Sequence, residues 1–425
     1  MISVGIDVSK EKSTIAIFKP YGEIVAKPFD VKHTKEDLQS LAAMIRHLND
    51  EVRVTMESTG IYHWPVLQTL LANDIFTVVV NPYAMKLYRK QSIRKGKTDK
   101  MDAMAIAQYG LDHWVNLESF ESTQPIYDEL KLLGRRYRHY MRMHIDSLQE
   151  LTHILDMTMP GINKVFAGWQ ERSGRNKVAD FAAEFWHYDN ITKMSESQFV
   201  KNYEKWNKEK GYRMNETKAV EVYTLARNSI PTLPVNYSSA KMMVQEAVRV
   251  LQSVDATLYK ILAQMKELAK SLPEYGVVRN MGGVGDVLAP KLIAEIGDVR
   301  RFHSGKALIA YAGLDAPPYQ SGKFTGTERH ISKRGSSNLR KIGYEVMRCL
   351  KCHSAPNDSQ VYDFILKKEK EGKNKAVAKI AGLNKFLRIY YARVKEVYRE
   401  NDYIQNRCQK NLTSKLKNRN TKGLA

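Results

Sequence analysis

Three short apolar runs, joined by turns too short for a crossover, constrain this chain from its first residues. Ile2 to Val8 reads as a strand. Ser13 to Lys19 alternates Thr14, Ala16 and Phe18 with Ile15, Ile17 and Lys19, and Ile24 to Val31 follows the Pro20-Tyr21-Gly22 turn. Strands linked by so few residues pair as antiparallel neighbours, because a parallel partner needs a crossover of about a dozen residues or more.

The pattern then changes period. Lys35 to Leu48 carries Leu38, Leu41, Ala42, Ile45 and Leu48 at helical spacing. Val52 to Met56 and Ile75 to Val80 read as two more strands, separated by a helical stretch after Trp64-Pro65. A three-stranded meander followed by alternating helices and strands is the order of an RNase H-like α/β domain, expected here over residues 1–118.

The middle, residues 119–271, reads as helical and coiled-coil-like. Leu130, Leu133, Tyr137, Met141, Ile145, Leu148, Leu151 and Leu155 recur every three or four positions. Val244, Ala247, Leu251, Val254, Leu258, Ile261, Met265 and Leu268 form a strict heptad seam. Such a seam can be covered by the same chain or by a second copy. Between the two runs, residues 161–235 read as a mostly helical insertion without assignable chemistry. A mainly α C-terminal domain is expected over 272–382, followed by a basic helix and tail over 383–425. In that domain Met281-Gly282-Gly283-Val284-Gly285 before an apolar stretch resembles a helix-hairpin-helix turn. Gly283 and Gly285 there would let backbone N–H groups approach a DNA phosphate.

Charge narrows the partners. The chain of 425 residues has a formal net charge of +21, a surplus that favours a polyanion through counterion release. From Ile365 to Ala425 there are 17 Lys or Arg against 5 Asp or Glu, so this last seventh holds a surplus of 12, and Lys410 to Ala425 reads as a mobile tail. With only three cysteines, a disulfide scaffold is excluded and a reducing cytosol is expected. Cys349, Cys352 and His353 spell a haem-attachment pattern, discounted because that chemistry needs export and Met1 to Lys10 runs directly into a strand. No apolar run is long enough for a membrane span. A cytoplasmic protein working on the nucleoid is the expectation.

Four acids carry the chemistry. Asp7 lies near the end of the first strand among Val4, Ile6 and Val8, where an unpaired charge is costly. Glu57 ends the fourth strand. Asp99 and Asp102 open a helix at i, i+3 spacing, on one face and at the end whose dipole favours carboxylates. Alone, each has an ordinary reading: a turn former, a strand end, a helix cap. In this fold order they can converge, and hard divalent cations resolve the repulsion of converging carboxylates. Two such ions, about 4 Å apart, suit phosphodiester chemistry.

Asp7 in GIDVSK, Glu57 in MESTG, Asn81-Pro82 after a strand, and Asp99 and Asp102 in KTDKMDA resemble the RuvC-like DEDD domain of IS-one-ten family insertion-sequence transposases. MGGVGDVLAPKLIAEIGD, YAGLDAPPYQSGK and ISKRGSSNLRK resemble that family's second domain. The resemblance implies a Mg²⁺ site on the four acids, with Mn²⁺ as a substitute, and a nucleophilic serine at Ser321. It further implies a homo-oligomer (dimer or tetramer) and a noncoding RNA from the element that selects donor and target DNA. Lys323, Arg329, Lys333 and Arg334 around the serine supply phosphate-binding charge, and Ser332 reads as a further phosphate contact.

Three functions compete: a serine-assisted, RNA-guided DNA transposase; a RuvC-like junction-resolving nuclease that uses water; and a non-catalytic nucleic-acid-binding protein. Anionic clusters facing phosphate disfavour the last. The helical middle and the whole serine domain exceed what a small hydrolytic nuclease needs.

Overall fold

In the computed structural model the described residues are 1–90, 98–120, 124–166, 175–317, 320–321, 324–325, 330–352 and 358–422, with backbone alone at 321, 324–325 and 404–422. They form two compact units, Met1–Ser122 and Thr123–Ala425.

The first unit is built on five strands: β1 (Ile2–Val8), β2 (Lys12–Phe18), β3 (Ile24–Lys32), β4 (Val52–Glu57) and β5 (Thr77–Val80). Their order is β3-β2-β1-β4-β5. The β1, β2 and β3 strands pair antiparallel, while β4 runs parallel to both β1 and β5. The expected RNase H-like arrangement is thus present. Alternation explains the layers. Val4 and Ile6 of β1 join Val54 and Met56 of β4 in a core shared with α1 (Lys35–Arg46) and α2 (His63–Ala72). Two further helices, α3 (Pro82–Arg89) and α4 (Asp99–Asp112), follow β5.

The approach of α4 to the sheet is unusually close, and glycine permits it. A Cβ on Gly5 of β1 would land in the α4 backbone at Ala103 and Ala107, and one on Gly110 would overlap Ser3 and Thr55. The Ser3 hydroxyl donates to the Ala107 carbonyl at 2.7 Å and locks the contact. We expect Gly5→Ala to push α4 off the sheet. The cost should be about 1–3 kcal/mol, typical of overpacking, read as a lower denaturation midpoint. An unchanged midpoint would show that the helix yields without strain.

The second unit is helical. The long helices α5 (Pro125–Thr158) and α11 (Ser238–Lys270) pack against each other. Between them lie α6 (Ile162–Val165), α7 (Lys177–Phe185), α8 (Tyr188–Thr192), α9 (Glu196–Lys210) and α10 (Glu216–Asn228). These five fold on an aromatic core of Phe181, Phe185, Phe199, Tyr203 and Trp206, joined by Leu151 and Leu155 of α5 and Val244 and Leu251 of α11. At the opposite ends of the long pair, Tyr127 and Leu130 join Met265 and Ala269 in a second core. The two helices therefore run antiparallel. Val244, Leu251, Val254, Leu258 and Met265 of the heptad seam are buried within this chain. The α5 stripe departs from expectation at Ile145, which is 42% exposed. Its neighbour His144 faces α11 instead, with Nδ1 2.6 Å from Asp255 Oδ1.

The second core continues through α12 (Tyr275–Arg279), α13 (Gly285–Ile296) and α14 (Gly305–Ala312). After the short β6 (Gln320–Ser321) and β7 (Phe324–Thr325) come α15 (Ser337–Cys352), α16 (Gln360–Lys370) and α17 (Lys375–Lys422). Buried Glu274 accepts hydrogen bonds from the Tyr127 and Tyr398 hydroxyls, each at 2.7 Å, and so ties α5 to α17. The tail expected from Lys410 is helical as far as Lys422, since no Gly or Pro interrupts residues 383–422. Among the described residues no helix is long and apolar enough to cross a membrane.

Candidate active site

Sheet register brings the first two acids together. Ile6 of β1 pairs with Met56 of β4, so Asp7 and Glu57 are the next residues along two parallel neighbours. The α4 helix supplies the other two. Thr98 caps it by accepting from the Met101 N–H, which sets Asp99 and Asp102 in the first turn. The Gly5 contact fixes this helix over β1, whose end bears Asp7. Asp7 and Glu57 thus end neighbouring strands, and Asp99 and Asp102 open the helix packed on β1.

Asp7 feels the charge of the other three acids. The Asp7 carboxyl is pushed up to about 6, first by burial, then by the negative charge of Asp102 and Asp99, with a smaller push from Glu57. Arg89 acts against the shift. This arginine, which sequence reasoning missed, ends α3 and reaches both Glu57 and Asp102. Asn81-Pro82 explains how it gets there: the Asn81 side chain accepts from the Tyr83 N–H and Pro82 starts the helix that delivers Arg89. Nothing in the spacing of Arg89 marks it, since its partners are set by the fold.

The donor set is all carboxylate oxygen, the chemistry that Mg²⁺ or Mn²⁺ takes. As the side chains lie, no group of three or more His, Cys, Asp or Glu among the described residues is gathered to hold a metal ion. Glu57 and Asp102 are turned to Arg89 instead.

In the second unit Ser321 lies in the β6–β7 pair, opposite Phe324. Lys323 and Arg329 lie outside the described residues. Lys333 and Arg334 are exposed on the segment that follows. That segment is stitched to the end of α14: Lys333 N–H donates to Gly313 O at 3.0 Å and Ser336 N–H to Tyr311 O at 2.7 Å. Lys333 adopts φ +54° in doing so. The Ser332 hydroxyl donates to Asp315 Oδ1 at 2.5 Å, so in this arrangement it serves the loop. Gly283 also has a packing duty, because a Cβ there would stand 2.6 Å from the Val346 carbonyl oxygen of α15. Gly285, at φ +61° with open space around it, starts α13. Cys349 and Cys352 are exposed on α15 and unpaired.

Comparison with known proteins agrees with both units. A DEDD transposase model matches residues 4–160, and the model described as "Transposase IS116/IS110/IS902 family" matches residues 275–363. Together they span more than half of the chain. A 44.8 kDa protein of insertion element IS116 from Streptomyces clavuligerus is 22% identical over 87% of this chain and 89% of its own length. The transposase for insertion sequence element IS1111A of Coxiella burnetii is 31% identical over 28% of this chain and 33% of its own. A pilin gene-inverting protein of Moraxella lacunata is 22% identical over 81% of this chain and 80% of its own. Thermus thermophilus RuvC in complex with Holliday junction substrate aligns over its whole length with 28% of this chain, at 11% identity and a TM-score of 0.23. The RNase H-like assignment rests on the strand order and not on that alignment. With the two family models in chain order, the first covering the four acids and α5 and the second covering Ser321, the chain belongs to the IS116/IS110/IS902 family of transposases.

Proposed function

We propose that this transposase cuts and joins DNA with divalent metal ions, Mg²⁺ by preference, held by Asp7, Glu57, Asp99 and Asp102, and with Ser321 as nucleophile. The observation that supports the metal half is placement: Asp7 and Glu57 stand at the ends of paired parallel strands, and Asp99 and Asp102 in the first turn of the helix packed on β1. Bound there, divalent ions polarise the phosphodiester and stabilise the leaving oxygen. The chain's own residues do the rest. Asp7, Glu57, Asp99 and Asp102 are the residues that would hold these ions. Lys333 and Arg334, with Lys323 and Arg329, bind flanking phosphates and steady the charge that grows in the transition state. Gly285 is the better placed of the two turn glycines for a backbone phosphate contact, since Gly283 is engaged with α15.

The basic α17 supports further sequence-independent grip on nucleic acid. The family resemblance supports a noncoding guide RNA as the source of sequence choice, a dimer or tetramer as the working form, and the nucleoid as the place of work. Since α5 packs along the heptad seam within the chain, we place the subunit contact elsewhere.

The test is a strand-transfer assay with purified chain, Mg²⁺ and element-end DNA, with and without the nucleic acid that copurifies, which is then sequenced. Joined products that require both metal and an element-derived RNA are expected. Joining that survives chelation would sink the metal assignment, and full activity after RNase treatment would sink the guide.

A further inference from the structure

Arg89 places one guanidinium between two acids from different elements. Its Nη2 is 3.0 Å from Glu57 Oε2, and its Nε is 3.3 Å from Asp102 Oδ1. The Arg89, Glu57 and Asp102 side chains are 28%, 17% and 13% exposed, so water screens these pairs poorly. Nε is buried and forms no directed hydrogen bond. Its attraction to Asp102 is therefore one of charge, without the geometry that would fix it in place.

A guanidinium and a hard divalent ion answer the same need, positive charge among carboxylate oxygens, and two cations do not share it at such distances. The fold has supplied one of them. We propose that Arg89 is the built-in occupant of the acid cluster: it holds Glu57 and Asp102 in the metal-free protein and must release them before a divalent ion is ligated. This inference rests on the reading of the four acids as metal ligands. It accounts for the absence of a gathered ligand set among the described residues, since two of the four carboxylates are turned to the guanidinium.

Release has a chemical destination. The fork of an arginine suits a phosphate in two-point contact, and a DNA phosphate arriving at the site would draw Arg89 away from the acids. Metal and DNA would then each favour the binding of the other, as reciprocal coupling requires. A transposase built this way stays poorly loaded with metal until its substrate is in place.

Mn²⁺ binding to the full chain without nucleic acid, followed by titration calorimetry and by the spin resonance of free Mn²⁺, tests the idea without any turnover. Arg89→Gln should bind Mn²⁺ about tenfold more tightly than wild type, within the usual range for coupled sites. It should also unfold earlier than wild type in metal-free buffer. Arg89→Lys keeps a cation without the fork and should tighten binding by less. Equal or weaker Mn²⁺ binding by folded Arg89→Gln would overturn the inference and leave Arg89 as a positioning residue of the loaded site. Should Arg89→Gln fail to fold without metal, Arg89→Lys decides: binding equal to wild type overturns the inference. The underlying metal reading is separable. Binding lost in Asp7→Asn but untouched in Arg89→Gln sinks only the role of Arg89. No binding by wild type or Arg89→Gln removes the metal site itself, and this inference with it.

Discussion

Asp7→Asn is expected to lower DNA cleavage by about 10³-fold, the upper range for losing one preorganised electrostatic group, while making the metal-free protein more stable. The two effects share one cause. Asp7 sits partly buried among Asp102, Asp99 and Glu57, and its carboxyl is pushed up to about 6 from 3.8. The folded chain thus holds that proton more tightly than the unfolded chain does. Stability of the metal-free protein should therefore rise as pH falls from above about 6 toward about 4, and drop as pH climbs through about 6. After allowance for solvent screening, the swing is about 1–2 kcal/mol. Asparagine is uncharged and similar in shape, so the variant should lose this pH dependence and melt higher at pH 7. On the proposed metal reading, saturating divalent metal should reverse the ranking, because it would reward the ionised carboxylate in wild type alone. Melting curves at several pH values, with and without Mg²⁺, read all of this. Cleavage at the wild-type rate by a variant with matched DNA binding would remove Asp7 from the site. A flat pH profile in wild type would remove the carboxylate cluster.

The positions of the four acids were legible because each sits where an element ends or begins: two at neighbouring strand ends, two in the first turn of a helix. Strand alternation and short turns fixed the sheet order, and the sheet order placed Asp7 beside Glu57. Arg89 was not legible. It is one cation in a short basic helix, and its partner Glu57 lies 32 residues away in sequence. Gly283 shows the opposite failure. A glycine turn before a helix fits a phosphate contact, yet here the missing Cβ makes room for α15, a neighbour that no local pattern announces. The α5 stripe was misplaced at Ile145 for a related reason. Spacing gives the face of a helix, but only the path of α11 decides that His144 meets Asp255 there. Gly5 in the GIDVSK motif carries no local sign of a duty of its own. Its duty, letting α4 touch the sheet, is a property of two elements at once.

Ser321→Ala should abolish strand joining, by about 10³-fold or more as for other lost nucleophiles, and should abolish any covalent protein–DNA adduct. In the proposed reaction the serine oxygen attacks phosphorus. The bond from phosphorus to the leaving strand oxygen breaks, that oxygen takes up a proton, and the hydroxyl proton of Ser321 passes to solvent. A phosphoserine link remains until the second strand attacks, so a stalled reaction should leave protein joined to one strand. The motive is the family match at YQSGK, together with the exposed Lys333 and Arg334 on the segment beyond it. The hydrolytic alternative differs in kind. Water would attack, no adduct would form, and the alanine variant would lose little beyond a local hydrogen bond worth about 1 kcal/mol. Ser332 serves as the internal control. Its hydroxyl donates to Asp315, so Ser332→Ala should loosen the loop and reduce the rate while leaving the adduct at Ser321. A suicide DNA substrate, denaturing electrophoresis and peptide mapping distinguish these outcomes. An adduct mapped to Ser332, or normal joining by Ser321→Ala with no adduct in wild type, would end the case for Ser321 as nucleophile.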